Sequence, residues 1–457
     1  MSRRASWQVY NRTGTEESGH YPVPLKPGAS AGSGPRSRSP IVSFKPAISL
    51  SSYQLRLLAV LALINFVNFA DRQAIPPLVP LIRDEFALTS TQISYLQVAL
   101  QSVLAIASIP FGFFADRFNR SRIIAGGVIF WSFATIFTSH VHTFAMLLLA
   151  RAFVGIGEAA YAPAAQSMIS GGYPKADRAR AQSIFAAGML IGGTAGQAAG
   201  GIIGQWLGWR AVFYAIGIPG LLLSFAILGL AEPPRGPRSE VIPFSKLLRV
   251  PAFLTLIFSG VMITFASVAF LTWGTDFVVR YKDFSLKEAG VSLGPTLLVS
   301  GIFGVLAGGF VADLLQKRFA YGRILTVTSG FLIAAPFVLW AITAEEKHII
   351  IGAFFIAGFF MSWYHGPLTA VIHDMMPRRA HASSVGVYMF ATQLFGGILG
   401  PYVVGRLDDF ADLILGLQVA VVVMVGGALL MFLVMYFIRR DGLCHPELDA
   451  FRVEPGD

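Results

Sequence analysis

From Gln54 onward, long apolar runs alternate with short polar interruptions, and each run is long enough to cross a bilayer as a helix, which takes about 20 residues. The pattern predicts spans over 54–80, 91–114, 122–140, 143–170, 180–204 and 210–230, then over 252–279, 289–314, 322–343, 348–374, 382–406 and 413–438. Residues 1–50 contain no apolar run and are rich in Ser, Gly, Pro and Arg, so they read as a disordered basic tail with no signal peptide. The expected organisation is a tail over 1–50, a six-helix bundle over 51–230, a linker over 231–250, a second bundle over 251–438 and a tail over 439–457. Within the linker, Phe244 to Val250 could form a short interfacial helix.

Basic residues divide the connections between spans into two kinds. Arg117, Arg120 and Arg122, then Lys175, Arg178 and Arg180, then Arg235, Arg238, Lys246 and Arg249 follow even-numbered spans. Lys317, Arg318 and Arg323, then Arg378 and Arg379, and finally Arg439 and Arg440 continue the series. The opposite connections carry Arg83, Arg210, Arg280, Lys282, Lys287, Lys347 and Arg406, several beside acids. Positive charge collects in cytoplasmic loops, so both termini are expected in the cytoplasm of a cell membrane, plasma or bacterial inner.

The chain also repeats itself. Gly112-Phe-Phe-Ala-Asp116 recurs as Gly309-Phe-Val-Ala-Asp313, each closing an even span. Tyr173-Pro174 with Arg178 to Ala181 is echoed by Met376-Pro377 with Arg379 to Ala382, each ahead of a glycine-rich span. Two halves in the same orientation imply a parallel repeat about an axis along the membrane normal. The expected fold is therefore an all-α membrane protein of twelve transmembrane helices in two pseudo-symmetric six-helix bundles.

Composition narrows the function classes. The 457 residues are 54% hydrophobic and 13% charged, with mean hydropathy +0.63, whereas soluble domains carry about 25% charge. The net charge of +10 is accounted for by the loops, so no nucleic-acid partner is expected. A single cysteine, Cys444, excludes an intramolecular disulfide, a cysteine zinc site and an iron–sulfur cluster. His365, His373 and Asp374 come with no serine nucleophile motif or metal cluster, so neither an enzyme, a metal nor a cofactor is expected. The sequons at Asn11 and Asn119 fall on the cytoplasmic side.

The costliest residues lie in the fourth span. Arg151 and Glu158 are seven residues apart, two helical turns, and project from one face. Ionisable groups at membrane depth normally face a bundle interior or watery cavity, and Gly155 and Gly157 between them allow another helix close approach. In the first span Asn65, Asn68, Asp71 and Arg72 interrupt an apolar run ahead of Pro76, Pro77 and Pro80. Asp71 and Arg72 point about 100° apart on a helix, so each needs a partner from elsewhere.

The segment Gly112-Phe-Phe-Ala-Asp116-Arg117-Phe-Asn-Arg120-Ser-Arg122 resembles the signature between spans two and three of the major facilitator superfamily, with a weaker copy at Gly309–Asp313. The resemblance implies a cytoplasmic gate of Gly112, Asp116, Arg117, Arg120, Arg122 and Asp313. There Asp116 caps a helix N-terminus and the arginines bridge to acids across the halves. Asn68-Phe-Ala-Asp71-Arg72 together with Arg151 to Tyr161 is similar to the Spinster family, a lysolipid and sphingolipid transporting branch. The match is densest from Asn65 to Gly204. Organic-anion and sugar-acid symporters share the first-span motif, and Val154-Gly-Ile-Gly-Glu-Ala-Ala-Tyr161 tilts the reading to Spinster.

What the resemblance implies is a secondary active transporter, proton-coupled and monomeric, that moves a lipid-like amphiphile by alternating access. Asp71 and Glu158 would carry protons, and Arg151 and Arg72 would hold a headgroup or serve as coupling cations, Arg151 releasing Glu158 when that acid protonates. Asn68 and Tyr161 would line the cavity. The seventh span would add Thr264, Ser267, Thr272, Trp273 and Asp276, and the tenth Phe360, Ser362, Trp363, Tyr364, His365 and Thr369. This lightly polar aromatic face suits an apolar tail. The alternatives are an organic-anion or sugar-acid/proton symporter and, in another class, a membrane receptor or sensor.

Overall fold

The computed structural model describes residues 51–233, 244–319, 321–377 and 380–440. The expected first tail, residues 441–457 of the last and residues 234–243 of the linker lie outside the described residues, as does the side chain of Asp116. Twelve long helical segments run through the rest. The first half contributes α1 (Ser52–Phe86), α2 (Ser90–Arg117), α3 (Arg120–Thr138), α4 (Phe144–Gly172), α5 (Lys175–Leu207) and α6 (Trp209–Leu228). The second contributes α7 (Pro251–Tyr281), α8 (Leu286–Arg318), α9 (Gly322–Thr343), α10 (Lys347–Met361 continuing through His365–Met375), α11 (His381–Ala391 continuing through Gly397–Phe410) and α12 (Leu413–Arg440). Where the linker was expected to form an interfacial helix, only the four-residue turn Phe244–Leu247 is present, with Leu247 buried.

Local chemistry explains where the helices begin. Ser51 with Gln54, Thr89 with Gln92, and Ser285 with Glu288 form capping boxes ahead of α1, α2 and α8. α1 continues through Pro76, Pro77 and Pro80, which keeps Asp71 near the middle of a single helix. Eleven of the segments are long and apolar enough to cross a membrane by length and composition. The twelfth, α2, has 28 residues, within the length range of the others, and carries Gln92, Ser94, Gln97, Gln101 and Ser102 in its first half.

The helix pairs repeat between halves. α1–α5, α1–α6, α2–α4, α3–α4 and α3–α6 recur as α7–α11, α7–α12, α8–α10, α9–α10 and α9–α12, which is the parallel repeat. Small residues make the closest of these pairs. Gly188, Gly192, Gly196 and Gly200 of α5 sit one turn apart against Ala62, Phe66, Ala70 and Ala74 of α1, where any Cβ would strike backbone. Gly396 and Gly400 repeat this against Val261 and Phe265 of α7.

The halves meet along α2–α11 and α5–α8. We call the side holding the start of α1 and the α6–α7 connection the linker side, and the opposite side the far side. At the far side the seams are closed: a Cβ on Gly405 would lie 2.7 Å from Ser90 O, and one on Gly201 would lie 2.6 Å from Leu286 O. Toward the linker side, Gly112, Gly309 and Gly386 on the same helices have nothing within 4 Å of that position.

Candidate functional site: a crossed pair of buried ion pairs and a neutral cavity

In the middle of the first half, α1 and α4 bring four charges together. Arg72 Nη2 lies 2.7 Å from Glu158 Oε2, and Arg151 Nη1 lies 3.4 Å from both carboxylate oxygens of Asp71. Asp71, Arg151 and Glu158 are buried, whereas the Arg72 side chain keeps 21% of its exposure. This corrects the expected partnership of Arg151 with Glu158. Two turns of helix separate them by about 10 Å along the axis, and the neighbouring α1 residues fill that gap with opposite charge. Asp71 and Arg72, pointing apart, each take one partner from α4.

The α4 glycines create this arrangement. A Cβ on Gly155 would meet Leu100 O of α2 at 2.8 Å, and one on Gly157 would meet the backbone of Gly127 and Trp131 of α3 at 2.7 Å. With α2 and α3 pressed against those faces, Arg151 and Glu158 are turned to α1. The cluster balances in charge but is incompletely bonded. Nε of Arg72, Nε of Arg151, Nδ2 of Asn68 and Oε1 of Glu158 have no hydrogen-bond partner, while Oε2 of Glu158 is met by Arg72 as an ion pair. Each orphaned buried polar group costs about 1–3 kcal/mol, so the cluster is not arranged for maximal stability.

The second half holds a cavity of about 290 Å³ between α7, α8, α9 and α10, closed on one side by Gln197 of α5. Among the expected cavity residues, Ser267, Ser362, Tyr364 and His365 line it. No Asp, Glu, Lys or Arg is among its described lining residues. The α10 helix tightens to a 3-10 turn over Ser362–Tyr364 there, and α11 loosens to a π turn over Thr392–Gly396. His365 opens on the cavity with its ring 4.1 Å from that of Tyr364.

Other expected cavity residues are placed elsewhere. Tyr161 is buried against Trp131 and donates to Leu61 O at 2.8 Å. Trp273 is buried and donates from Nε1 to Pro401 O at 3.0 Å. Thr264 packs on Gly396, and Phe360 and Trp363 stack on each other and on Phe359. Asn68 belongs to the charge cluster's surroundings, 3% exposed. Aromatic spacing along a helix does not reveal which face meets a void.

The predicted gate residues are dispersed. Arg117 is exposed over the Phe113 ring at 3.8 Å, Arg122 and Asp313 are exposed, and Gly112 borders open space. Arg120 is buried, but its partners are not acids of the other half. It bonds Glu232 at 2.7 Å, Ser167 Oγ at 2.9 Å and Pro233 O, and so pins the start of the inter-half linker to the first bundle.

An ionic latch at the far side went unread in the sequence. Arg83 of α1 makes a bidentate pair with Asp276 of α7 at 3.0 and 2.9 Å, and Arg280 bonds Asp408 of α11 at 2.7 Å and Asp276 at 3.3 Å. Ser90 Oγ donates to Asp408, and Asp409 caps α2 by accepting from Ser90 N and Thr91 N at 2.7 and 2.9 Å. The available signal was the pairing of acids with arginines at the ends of the first, seventh and eleventh spans.

Two helical bundles joined by a single linker, with ionisable groups buried between their helices, define a membrane transporter of the alternating-access class. The family profile of the Major Facilitator Superfamily matches residues 61–401. The chain is 26% identical to a bacterial homologue of the human lysosomal transporter Spinster in an inward-facing, unoccupied conformation, with TM-score 0.77 over 86% of this chain and 99% of that one. The occupied inward-facing form of such a homologue matches with TM-score 0.78 at 26% identity, over 85% and 98%. Protein spinster homolog 1 of Bos taurus is 25% identical over 434 residues, 85% of this chain and 80% of that protein. An MFS-type efflux pump of Mycolicibacterium smegmatis is 27% identical over 367 residues, 79% and 85%. The chain belongs to the major facilitator superfamily, and within it is similar to the Spinster transporters.

Proposed function

We propose that this transporter moves a lysolipid- or sphingolipid-like amphiphile by alternating access, coupled to protons at Glu158 and Asp71. The observation that carries the reading is the segregation of charge. The mid-membrane arginines and carboxylates sit in the first half, while the second half offers an uncharged, largely apolar cavity. A molecule with a charged head and an apolar body matches that division, whereas a small polyanion would call for cationic donors around the whole cavity.

In this reading Glu158 is paired with Arg72. When it takes a proton, the attraction to Arg72 falls, and Arg72, the most exposed of the four, is freed toward a headgroup. Arg151 stays with Asp71 and keeps that carboxylate in place. The positive clusters support a cytoplasmic linker side, and with it cytoplasmic termini, in a plasma or bacterial inner membrane. The conformation is then open to the cytoplasm and latched at the far side by Arg83, Asp276, Arg280 and Asp408.

The test is counterflow of labelled substrate together with proton flux in reconstituted vesicles, across lysolipids, sphingoid phosphates and sugar acids. Exchange of a lysolipid or sphingoid phosphate with accompanying proton movement is expected. Exchange of sugar acids alone would replace the amphiphile with an organic anion. Tight binding without any counterflow would make the protein a receptor.

A further inference from the structure

The cavity of the second half has one wall from the first. Gln197 of α5 is only 4% exposed, lines the cavity, and leaves its Oε1 without a hydrogen-bond partner. Its Nε2 reaches Gln73 Oε1 of α1 at 3.4 Å, which turns the free oxygen away from α1. On the other side it crosses the α5–α8 seam. A Cβ on Gly294 would lie 3.3 Å from both Cβ and Oε1 of Gln197, and one on Gly290 would lie 2.6 Å from its carbonyl oxygen. A buried acceptor left open in an apolar chamber carries a desolvation cost of about 1–3 kcal/mol until something donates to it.

None of the other polar lining groups, Thr275, Tyr364 and His365 included, donates to that oxygen. Ser267 Oγ is spent on Ile263 O at 2.9 Å and Ser362 Oγ on Gly358 O at 2.7 Å. No charged side chain is among the described lining residues, so the complement to Gln197 is a neutral donor rather than a headgroup.

We propose that Gln197 is the specificity residue of the cavity, accepting a hydrogen bond from an uncharged hydroxyl or amide N–H on the backbone of the transported amphiphile. The inference rests on the amphiphile reading above and narrows it to lipids with a free backbone donor. A single-chain glycerolipid has such a hydroxyl and its diacyl form does not; a sphingoid base has one as well. Sites that hydrogen-bond a substrate hydroxyl reject the analogue lacking it far better than apolar pockets reject an extra methylene. Because Gln197 stands on the seam between halves, the bond also places the lipid backbone where the bundles separate.

The experiment measures binding of two lipids to the full-length protein in nanodiscs. One is oleoyl lysophosphatidylcholine, with its free glycerol hydroxyl; the other is the analogue in which hydrogen replaces that hydroxyl. The natural protein should bind the hydroxyl lipid about tenfold more tightly. Gln197→Leu, and the near-isosteric Gln197→Met, should equalise the two by weakening only the hydroxyl lipid; unchanged affinity for the deoxy lipid shows that the variant is folded. Equal, measurable binding of both lipids to the natural protein would overturn the role of Gln197 while leaving the amphiphile reading intact. A preference that survives both substitutions would overturn it too. Failure of either lipid to bind would overturn the amphiphile reading, and this inference with it.

Discussion

The two bundles share one arrangement of helices yet treat polarity in opposite ways. In the first, α1 and α4 hold four charges in two crossed pairs, three of them buried, with several donors and acceptors left unsatisfied. In the second, the equivalent α7 and α10 place no arginine or carboxylate at that depth, and α10 breaks its regular hydrogen bonding beside an aromatic chamber. Charge needs rigid support, because moving an ion pair apart inside a bundle is costly, and the glycine contacts of Gly155 and Gly157 supply that support. The second bundle instead surrounds its cavity with irregular helix turns and tilted aromatic rings.

The sharpest way to break the contrast is to remove one charge from the first bundle. Arg151→Ala should abolish transport and cost about 3–5 kcal/mol of stability, because Asp71 is left buried and unpaired. Pairing it with Asp71→Asn should return much of the stability, read by thermal unfolding in detergent, without returning transport. The latch between bundles comes next. Asp276→Asn leaves Arg83 and Arg280 sharing Asp408, and should shift the equilibrium toward a far-side-open form by about tenfold or more. Spin labels at the exposed far-side positions His142 and Glu345, in a Cys444→Ser background, would report a longer distance. In the second bundle the effects should shrink. His365→Phe should weaken substrate binding by about fivefold and leave the pH dependence of transport unchanged, since the charge cluster is untouched. Ser267→Ala should change binding by less than about twofold, because its hydroxyl is already spent on Ile263 O.

Much of this division was legible in the chain. Apolar runs announce spans because a bilayer demands their length, and the echo of Gly112–Asp116 in Gly309–Asp313 announces two halves. α2 was readable as a span despite the glutamines and serines in its first half. That Asp71 and Arg72 needed separate partners followed from helix geometry, but which α4 residue each would take depended on how deeply α1 and α4 interlock. The latch escaped for a different reason. Asp276 reads as one more polar group of the seventh span and Asp408 as an ordinary loop acid, until folding carries helix ends hundreds of residues apart into contact. Tyr161 and Trp273 share the limitation of all aromatics in a membrane helix, since core, cavity and lipid accept them alike.

The most direct test is proton movement by Glu158→Gln protein in reconstituted vesicles. Gln keeps the shape and the contact with Arg72 but cannot carry a proton. Substrate-driven pH change should fall to the level of empty vesicles while labelled substrate still binds. Proton flux equal to that of the natural protein would contradict the assignment of Glu158 as the proton carrier.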